Sequence, residues 1–353
     1  MRRTKVLILV ISTSVLSSYI TYFCLSGNLR TAGAEITNLN SEASVVAPVA
    51  NAYRVERLQG YHFIKPLMYG ERVEEPKKYA SIKTELKGII NDFKKDNTIT
   101  SASVYLRDFE KNDWLGINTD VLFHPGSLMK LPVLITYLKL SEMHPEILNK
   151  KLMITSMPKG FPLPSYNSKQ IEVGKQYTVK ELLEYMISYS DNNATYLLNN
   201  NLDLQAFKKA FTDLHLIVPD VTDRMYTTTT KEYSTFFEVL YNAGYLSIEN
   251  SEFAMRLLSK CDFTKGFVAG LPAGVPIVHK FGEWSDSKTI HELHETGIIY
   301  INQKAYIFSV MTRGEDVMKL PKVIATLTKS VYNNISTSST PDKLAMVEKH
   351  TFN

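Results

Sequence analysis

Apolar residues recur at helical spacing over 77–95, where Tyr79, Ile82, Leu86, Ile89, Ile90 and Phe93 fall on one face. That spacing predicts a helix. Residues 101–110 (SASVYLRDFE), a polar KND turn and the following WLGIN predict a hairpin. Residues 127–141 are apolar in a helical pattern, and Thr178-Val-Lys-Glu181 is a capping box that opens a helix through ELLEYMISY. Helices are predicted again over 231–242 and 251–260. IVHKF (277–281) and the two runs TGIIYI and KAYIFSVMT on either side of Asn302-Gln303 predict strands, and 316–334 a last helix. An α+β fold follows, in which the two ends of the chain share one antiparallel sheet and the middle forms a helical lobe.

The amino terminus breaks this pattern. Arg2, Arg3 and Lys5 precede Val6–Leu25, a run of 20 residues without a charge, long enough to cross ~30 Å of hydrocarbon. Its basic end is expected to stay in the cytoplasm, with everything after residue 26 exported. A cleaved signal peptide is the alternative. Residues 27–50, rich in Ser, Thr, Ala, Asn and Gly, predict a flexible tether. The expected organisation is a signal-anchor over 1–26, the tether, a folded domain over 51–336 and a loose tail over 337–353.

Composition narrows the class. Apolar residues make up 44% and charged residues 22% of 353 residues, an ordinary globular balance with enough chain for a sizeable core. Of the net charge of +4, the first 47 residues supply +2, from Arg2, Arg3, Lys5 and Arg30 against Glu35 and Glu42. The remainder carries no nucleic-acid footprint. Cys24 and Cys261 give no disulfide framework and no metal cluster. His291 and His294 have the wrong spacing for one metal on a strand, so no metal and no cofactor are expected.

Three short motifs carry candidate chemistry. In Ser127-Leu-Met-Lys130, a Pro-Gly break precedes an apolar helical run, which places Ser127 at a helix N-terminus and Lys130 one turn later on the same face. A serine hydroxyl needs a base within hydrogen-bond reach, and a lysine serves if burial or a second cation lowers its pKa. Pro132 removes the amide that would bond to the Leu128 carbonyl. In Ser190-Asp191-Asn192, Ser190 suits a proton relay, Asn192 suits a substrate carbonyl and Asp191 suits bracing of the loop. In His279-Lys280-Phe281-Gly282-Glu283-Trp284, Lys280 at a strand end facing a cleft could hold a carboxylate and favour neutral Lys130. Gly282 would let a substrate lie close to the backbone.

Their order and spacing resemble the S-x-x-K, S-D-N and K-T-G signature of class A β-lactamases and penicillin-binding proteins. The surroundings are similar too: residues 123–132 resemble the nucleophile segment, 177–194 the second, 227–230 a Thr-rich stretch, and 306–313 a strand ending in Thr-Arg-Gly. The resemblance spans roughly residues 76–335. It implies the serine β-lactamase/transpeptidase fold: a sheet flanked by terminal helices, an all-helical lobe, and the site between them. It also implies an acyl-enzyme at Ser127, with Lys130 as base, Ser190 passing a proton to the leaving nitrogen, and the N–H groups of Ser127 and Glu283 as an oxyanion hole. Asn192, Lys280 and Gly282 would bind the substrate.

Two departures stand out. Class A enzymes carry a Glu-x-x-Leu-Asn loop whose glutamate activates the deacylating water. No such motif lies between Asn192 and Lys280, and Asp220 and Asp223 are the nearest carboxylates. Phe281 replaces the usual Thr or Ser, removing a hydroxyl that helps bind the substrate carboxylate. The expected function is an anchored, extracytoplasmic, monomeric β-lactamase-like serine hydrolase acting on a β-lactam or related amide. The alternatives are a peptidoglycan D,D-carboxypeptidase/transpeptidase and a penicillin-binding module without turnover.

Overall fold

The structure is a computed structural model that describes residues 60–66, 75–156, 165–166, 168–220, 225–286 and 289–338. All of these fall within the compact unit Tyr53–Asn353. The Val6–Leu25 run, the tether over 27–50, nearly all of the 337–353 tail, and Asp223 lie outside the described residues. Among the described residues no helix is long and apolar enough to cross a membrane.

The first helix, α1 (Ala80–Lys95), buries Ile82, Leu86 and Ile90 as its spacing predicts. The predicted hairpin is β1 (Ser101–Asp108) and β2 (Trp114–Ile117). Its connection is held by Asp108 Oδ1, which accepts the N–H groups of Glu110 at 2.8 Å and Lys111 at 3.2 Å, an Asx-type turn. Late in the chain come β5 (Ile277–Ser285), β6 (His291–Ile301) and β7 (Lys304–Gly314). The β6–β7 turn is Asn302-Gln303, with φ of 51° and 64°. Two left-handed residues match the twist of a two-residue hairpin. The chain closes with α9 (Leu320–Ser338). This helix starts four residues later than the expected 316 because Asp316 turns the chain first, accepting Met318 N–H at 2.9 Å.

The strands form one antiparallel sheet in the order β2-β1-β7-β6-β5. The amino-terminal hairpin thus pairs with a strand from the far end of the chain, Val104 opposite Val310, as expected of two ends sharing a sheet. Side chains alternate between faces. Val104, Leu106, Phe308 and Val310 pack with α1 and α9 in one core, while Tyr105 and Ile307 join the helical lobe in the other.

Between β2 and β5 lies the helical lobe. It contains α2 (Lys130–Ser141), a small hairpin of β3 (Lys151–Met153) and β4 (Gln176–Thr178), and α3 (Val179–Ser188) with its predicted capping box. It continues with α4 (Asn192–Asn200), α5 (Leu204–Asp213), α6 (Thr230–Tyr241), α7 (Ile248–Leu258) and the single turn α8 (Phe267–Gly270). The β3–β4 hairpin, α4 and α5 were not read individually from the sequence. Three-residue strands leave too little alternation to detect, and α4 (NNATYLLNN) is rich in Asn, a weak helix former.

Phe308, fully buried on β7, stacks on Phe267 with centroids 5.1 Å apart. Phe308→Ala should lower unfolding stability by about 3–5 kcal/mol in urea titration, and a loss under 1 kcal/mol would show that this face of the sheet is not a packed core.

Candidate active site

The candidate nucleophile sits where the two cores meet. Gly126 has φ +53°, a left-handed value that suits glycine. It opens a 3₁₀ turn, Gly126–Met129, that runs into α2. Ser127 therefore stands on a 3₁₀ lead-in rather than on the first turn of an α-helix, with Lys130 as the first residue of α2. The turn is pressed against β5. A Cβ on Gly126 would lie 2.1 Å from the Glu283 carbonyl oxygen, and one on Gly282 would lie 2.4 Å from Pro125 O and 2.8 Å from Leu128 N. Two glycines back to back thus bring the Ser127 turn beside the Glu283 backbone. This corrects the expectation for Gly282: the space its missing side chain leaves is filled by the nucleophile turn, not by substrate.

The Pro132 problem has a specific answer. The Leu128 carbonyl that loses the Pro132 N–H accepts a hydrogen bond from the Tyr233 hydroxyl at 2.8 Å. Tyr233 is buried on α6. Sequence reading missed it, although a buried tyrosine hydroxyl usually finds a partner.

The second motif follows α3. Ser190 has φ +52°, a conformation that costs a non-glycine residue of order 1 kcal/mol. Asp191 holds the turn as expected. Its carboxylate caps α4 by accepting Asn193 N–H and ties the loop down by accepting Ile171 N–H, each at 2.8 Å. Burial raises the Asp191 carboxyl, against those amides and Lys130. The left-handed backbone turns the Ser190 carbonyl toward Lys130.

Lys130 Nζ donates to Ser190 O at 2.6 Å, Asn192 Oδ1 at 2.8 Å and Ser190 Oγ at 3.0 Å. Lys280 Nζ donates to the same Ser190 Oγ at 2.9 Å and to Phe281 O at 2.9 Å. Three of the predicted residues, Lys130, Ser190 and Lys280, thus meet on one oxygen, with Asn192 alongside. Lys280 corrects an expectation. It lies in the middle of β5, fully buried at 0% exposure, so it does not offer its ammonium at a strand end to a substrate carboxylate.

The two amines lie within about 6 Å of each other, since both touch Ser190 Oγ. Two full charges at that separation repel by about 3 kcal/mol at an effective dielectric of about 20. Burial lowers Lys130 well below the ordinary lysine value, Lys280 lowers it further, and Asp191 only partly offsets them. Burial also lowers Lys280, to about 8, against the opposing pull of Cys261, Asp262 and Glu295. Lys130 is therefore the amine poised to be neutral, and Lys280 the one that keeps its charge at neutral pH.

A cavity of about 840 Å³ opens over this group, and Ser127, Lys130, Ser190, Asn192 and Glu283 line it. Tyr189 and Trp284 line it as well. The Trp284 ring stacks on His124 at 3.8 Å. His279, buried on β5, has Nδ1 2.6 Å from Glu295 Oε1. His294 uses both nitrogens, with Nε2 3.0 Å from His124 O and Nδ1 accepting Thr312 N–H at 3.3 Å. Among the described residues no group of three or more His, Cys, Asp or Glu side chains is placed to hold a metal. Tyr166, which also lines the cavity, was missed because no motif surrounds it.

The carboxylates lining the cavity are Asp191, Asp220 and Glu283, among the described residues. Asp191 is committed to backbone amides. Glu283 accepts the Ser165 N–H at 3.2 Å and the Ser165 hydroxyl. Asp220 is exposed and lines the cavity along with Pro219 and Tyr226.

Comparison with known proteins bears on the fold and the family. No curated protein matches the chain. Solved structures match in fold. PBP-A has 18% identity and a TM-score of 0.61, over 75% of this chain and 100% of that one. A β-lactamase from Chitinophaga pinensis has 18% identity and a TM-score of 0.62, over 72% and 99%. A class A β-lactamase from Bacteroides cellulosilyticus has 16% identity and a TM-score of 0.62, over 74% and 100%. The model of the beta-lactamase enzyme family matches residues 81–335, a span that holds both halves of the sheet, the helical lobe and all three motifs, and the chain belongs to that family.

Proposed function

We propose that the protein is a β-lactamase-like serine hydrolase that forms an acyl-enzyme at Ser127 with a β-lactam or a related amide. The observation that carries this reading is the convergence of Lys130 and Lys280 on Ser190 Oγ inside the cavity that Ser127 lines.

The steps follow from the hydrogen bonds. A neutral Lys130 has two N–H groups and one lone pair. Ser190 O and Asn192 Oδ1 can only accept, so they hold the two N–H groups. The bond to Ser190 Oγ is the longest of the three, and that oxygen already has Lys280 as a donor. Releasing it frees the lone pair to take the Ser127 proton as the hydroxyl attacks the carbonyl carbon. The oxyanion is received by the Ser127 and Glu283 N–H groups, brought together by the two-glycine contact. Lys130 then returns the proton through Ser190 to the leaving nitrogen. Ser190 is suited to this relay because its hydroxyl lies within reach of both amines.

Deacylation is the slow half of this cycle. Among the described residues, the Asp191 and Glu283 carboxylates that line the cavity are held by hydrogen bonds from Ile171, Asn193 and Ser165, which leaves neither free to activate water. That observation favours the second reading, a D,D-carboxypeptidase/transpeptidase-like enzyme or penicillin-binding module whose acyl group waits for another nucleophile. The same reading places the domain outside the cytoplasm on the Val6–Leu25 anchor, where peptidoglycan peptides and β-lactams are met.

A fluorescent penicillin should label the protein covalently and remain bound through gel electrophoresis. Ser127→Ala should abolish labelling, and Lys130→Ala should slow it by about 10²–10⁴-fold. Undiminished labelling of Ser127→Ala would sink the assignment. Prompt release of the label with steady nitrocefin turnover would instead mark an efficient β-lactamase.

The pH dependence has a fixed sign. Acylation needs neutral Lys130, so its rate should rise with pH and level off well below the ordinary lysine pKa. Above about 8 it should fall as Lys280 loses its charge. In Lys280→Ala the falling limb should vanish and the rising limb move to higher pH, because a cation that lowers Lys130 is gone. A stopped-flow profile identical to wild type would reject this coupling.

Gly282→Ala forces its Cβ against Pro125 O and Leu128 N. It should displace the nucleophile turn and cut acylation by about 10²-fold, the size expected from losing one oxyanion donor. Thermal denaturation checks that the variant still folds.

A further inference from the structure

Phe281 lines the cavity where β5 passes Lys280. Its ring stacks on Phe263 with centroids 4.3 Å apart at 20°, and meets Tyr166 edge-on at 6.1 Å. Tyr166 in turn meets Phe263 edge-on at 5.0 Å. Three aromatic rings thus form a continuous apolar shelf, with Phe281 the member on the strand beside Ser190.

The polar groups around this shelf are already engaged. The Tyr166 hydroxyl donates to Val317 O at 3.2 Å, and the Ser168 hydroxyl donates to Asp262 Oδ2 at 2.6 Å. The Ser165 hydroxyl donates to Glu283. Lys280 Nζ gives two of its three hydrogens to Ser190 Oγ and the Phe281 carbonyl, lies 4.2 Å from the Phe281 ring centroid, and is shut off from solvent. Lys265 lies 4.9 Å over the Tyr166 ring and is not among the residues lining the cavity. The charged side chain that does line the cavity next to Phe281 is Glu283.

Among the described residues, a carboxylate set against Phe281 would find the hydroxyls of Ser165, Tyr166 and Ser168 already donating elsewhere, and would face the Glu283 carboxylate. Both effects disfavour it. The charge on Lys280 is felt in the cavity, but its hydrogens are not offered there. An uncharged apolar group in the same place would meet the Phe281 and Tyr166 rings, which Phe263 backs from behind.

We propose that the substrate group lying against Phe281 is uncharged and apolar, so that Ser127 takes its acyl group from amides without a free carboxylate beside the scissile bond. This rests on the acyl-enzyme reading above and specifies its substrate class.

The test uses the full chain with penicillin G and its methyl ester, following covalent mass gain at Ser127 over time. Each second-order acylation constant is divided by that compound's rate of hydrolysis in hydroxide, which removes intrinsic reactivity. The ester should be favoured by about 10-fold, the size of one unmade hydrogen bond to a charged group. Equal constants, or a faster acid, would overturn the proposal while leaving the acyl-enzyme reading intact. No mass gain with either compound would reject the acyl-enzyme reading itself, and this proposal with it. Phe281→Thr, which opens the wall and adds a hydroxyl, should shift the ester-to-acid ratio about 10-fold toward the acid. Phe281→Leu keeps the wall apolar and should keep the ratio. Each ratio is internal to one variant, so a loss of folded protein cancels. An unmoved ratio in Phe281→Thr would also overturn the assignment of the discrimination to this side chain.

Discussion

Two buried amines share one serine hydroxyl, and much of the structure serves to make that tolerable. An ammonium taken out of water is costly, and two of them within about 6 Å add mutual repulsion. The protein answers with hydrogen bonds and with a proton. Lys130 is surrounded by three oxygens and driven toward its neutral form, while Lys280 retains its charge between Ser190 Oγ and the Phe281 carbonyl. The reactivity expected of Ser127 is a by-product of that settlement. Lys130 is made a better candidate base because burial and a neighbouring cation have made its charged form expensive.

The arrangement needs support from both cores at once. Lys280 hangs from an edge strand whose far side is packed by the terminal helices, and Lys130 starts a helix buried in the lobe. The third partner, Ser190, sits on a left-handed turn that would relax if left alone. Asp191 prevents this by gripping two backbone amides from different segments. Tyr233 performs a similar service for the nucleophile turn, replacing the bond that Pro132 cannot make. Neither Asp191 nor Tyr233 needs to touch a substrate, yet each steadies a segment that carries a candidate catalytic serine.

Much of this was legible in the chain. Alternation and helical spacing gave the strands and longer helices to within a few residues, and the capping box at Thr178 fixed the start of α3. The motifs predicted that Lys130, Ser190, Asn192 and Lys280 would meet. What the sequence did not show is direction. Lys280 and Gly282 were read as facing a substrate, but on β5 both turn toward the protein, Lys280 onto Ser190 and Gly282 onto Pro125 and Leu128. Period-two alternation says which residues share a face, but only the packing of the neighbouring lobe says what that face meets. Tyr233 and Tyr166 were illegible for a related reason: their partners, Leu128 and Phe281, are more than a hundred residues away.

Phe281 shows how one substitution can change the meaning of a motif without disturbing its geometry. A hydroxyl at that position would present a donor beside a buried cation, and the pair would read as an anion site. The phenyl ring supplies no donor, joins a stack that belongs to the core of the sheet, and leaves Lys280 bonded to Ser190 Oγ and the Phe281 carbonyl. The lysine is therefore retained for its effect on neighbouring proton affinities. Chemistry and recognition, which a single Lys-Thr pair can combine, are separated here: the cation stays with the proton relay, and the wall beside it selects by shape and apolar contact.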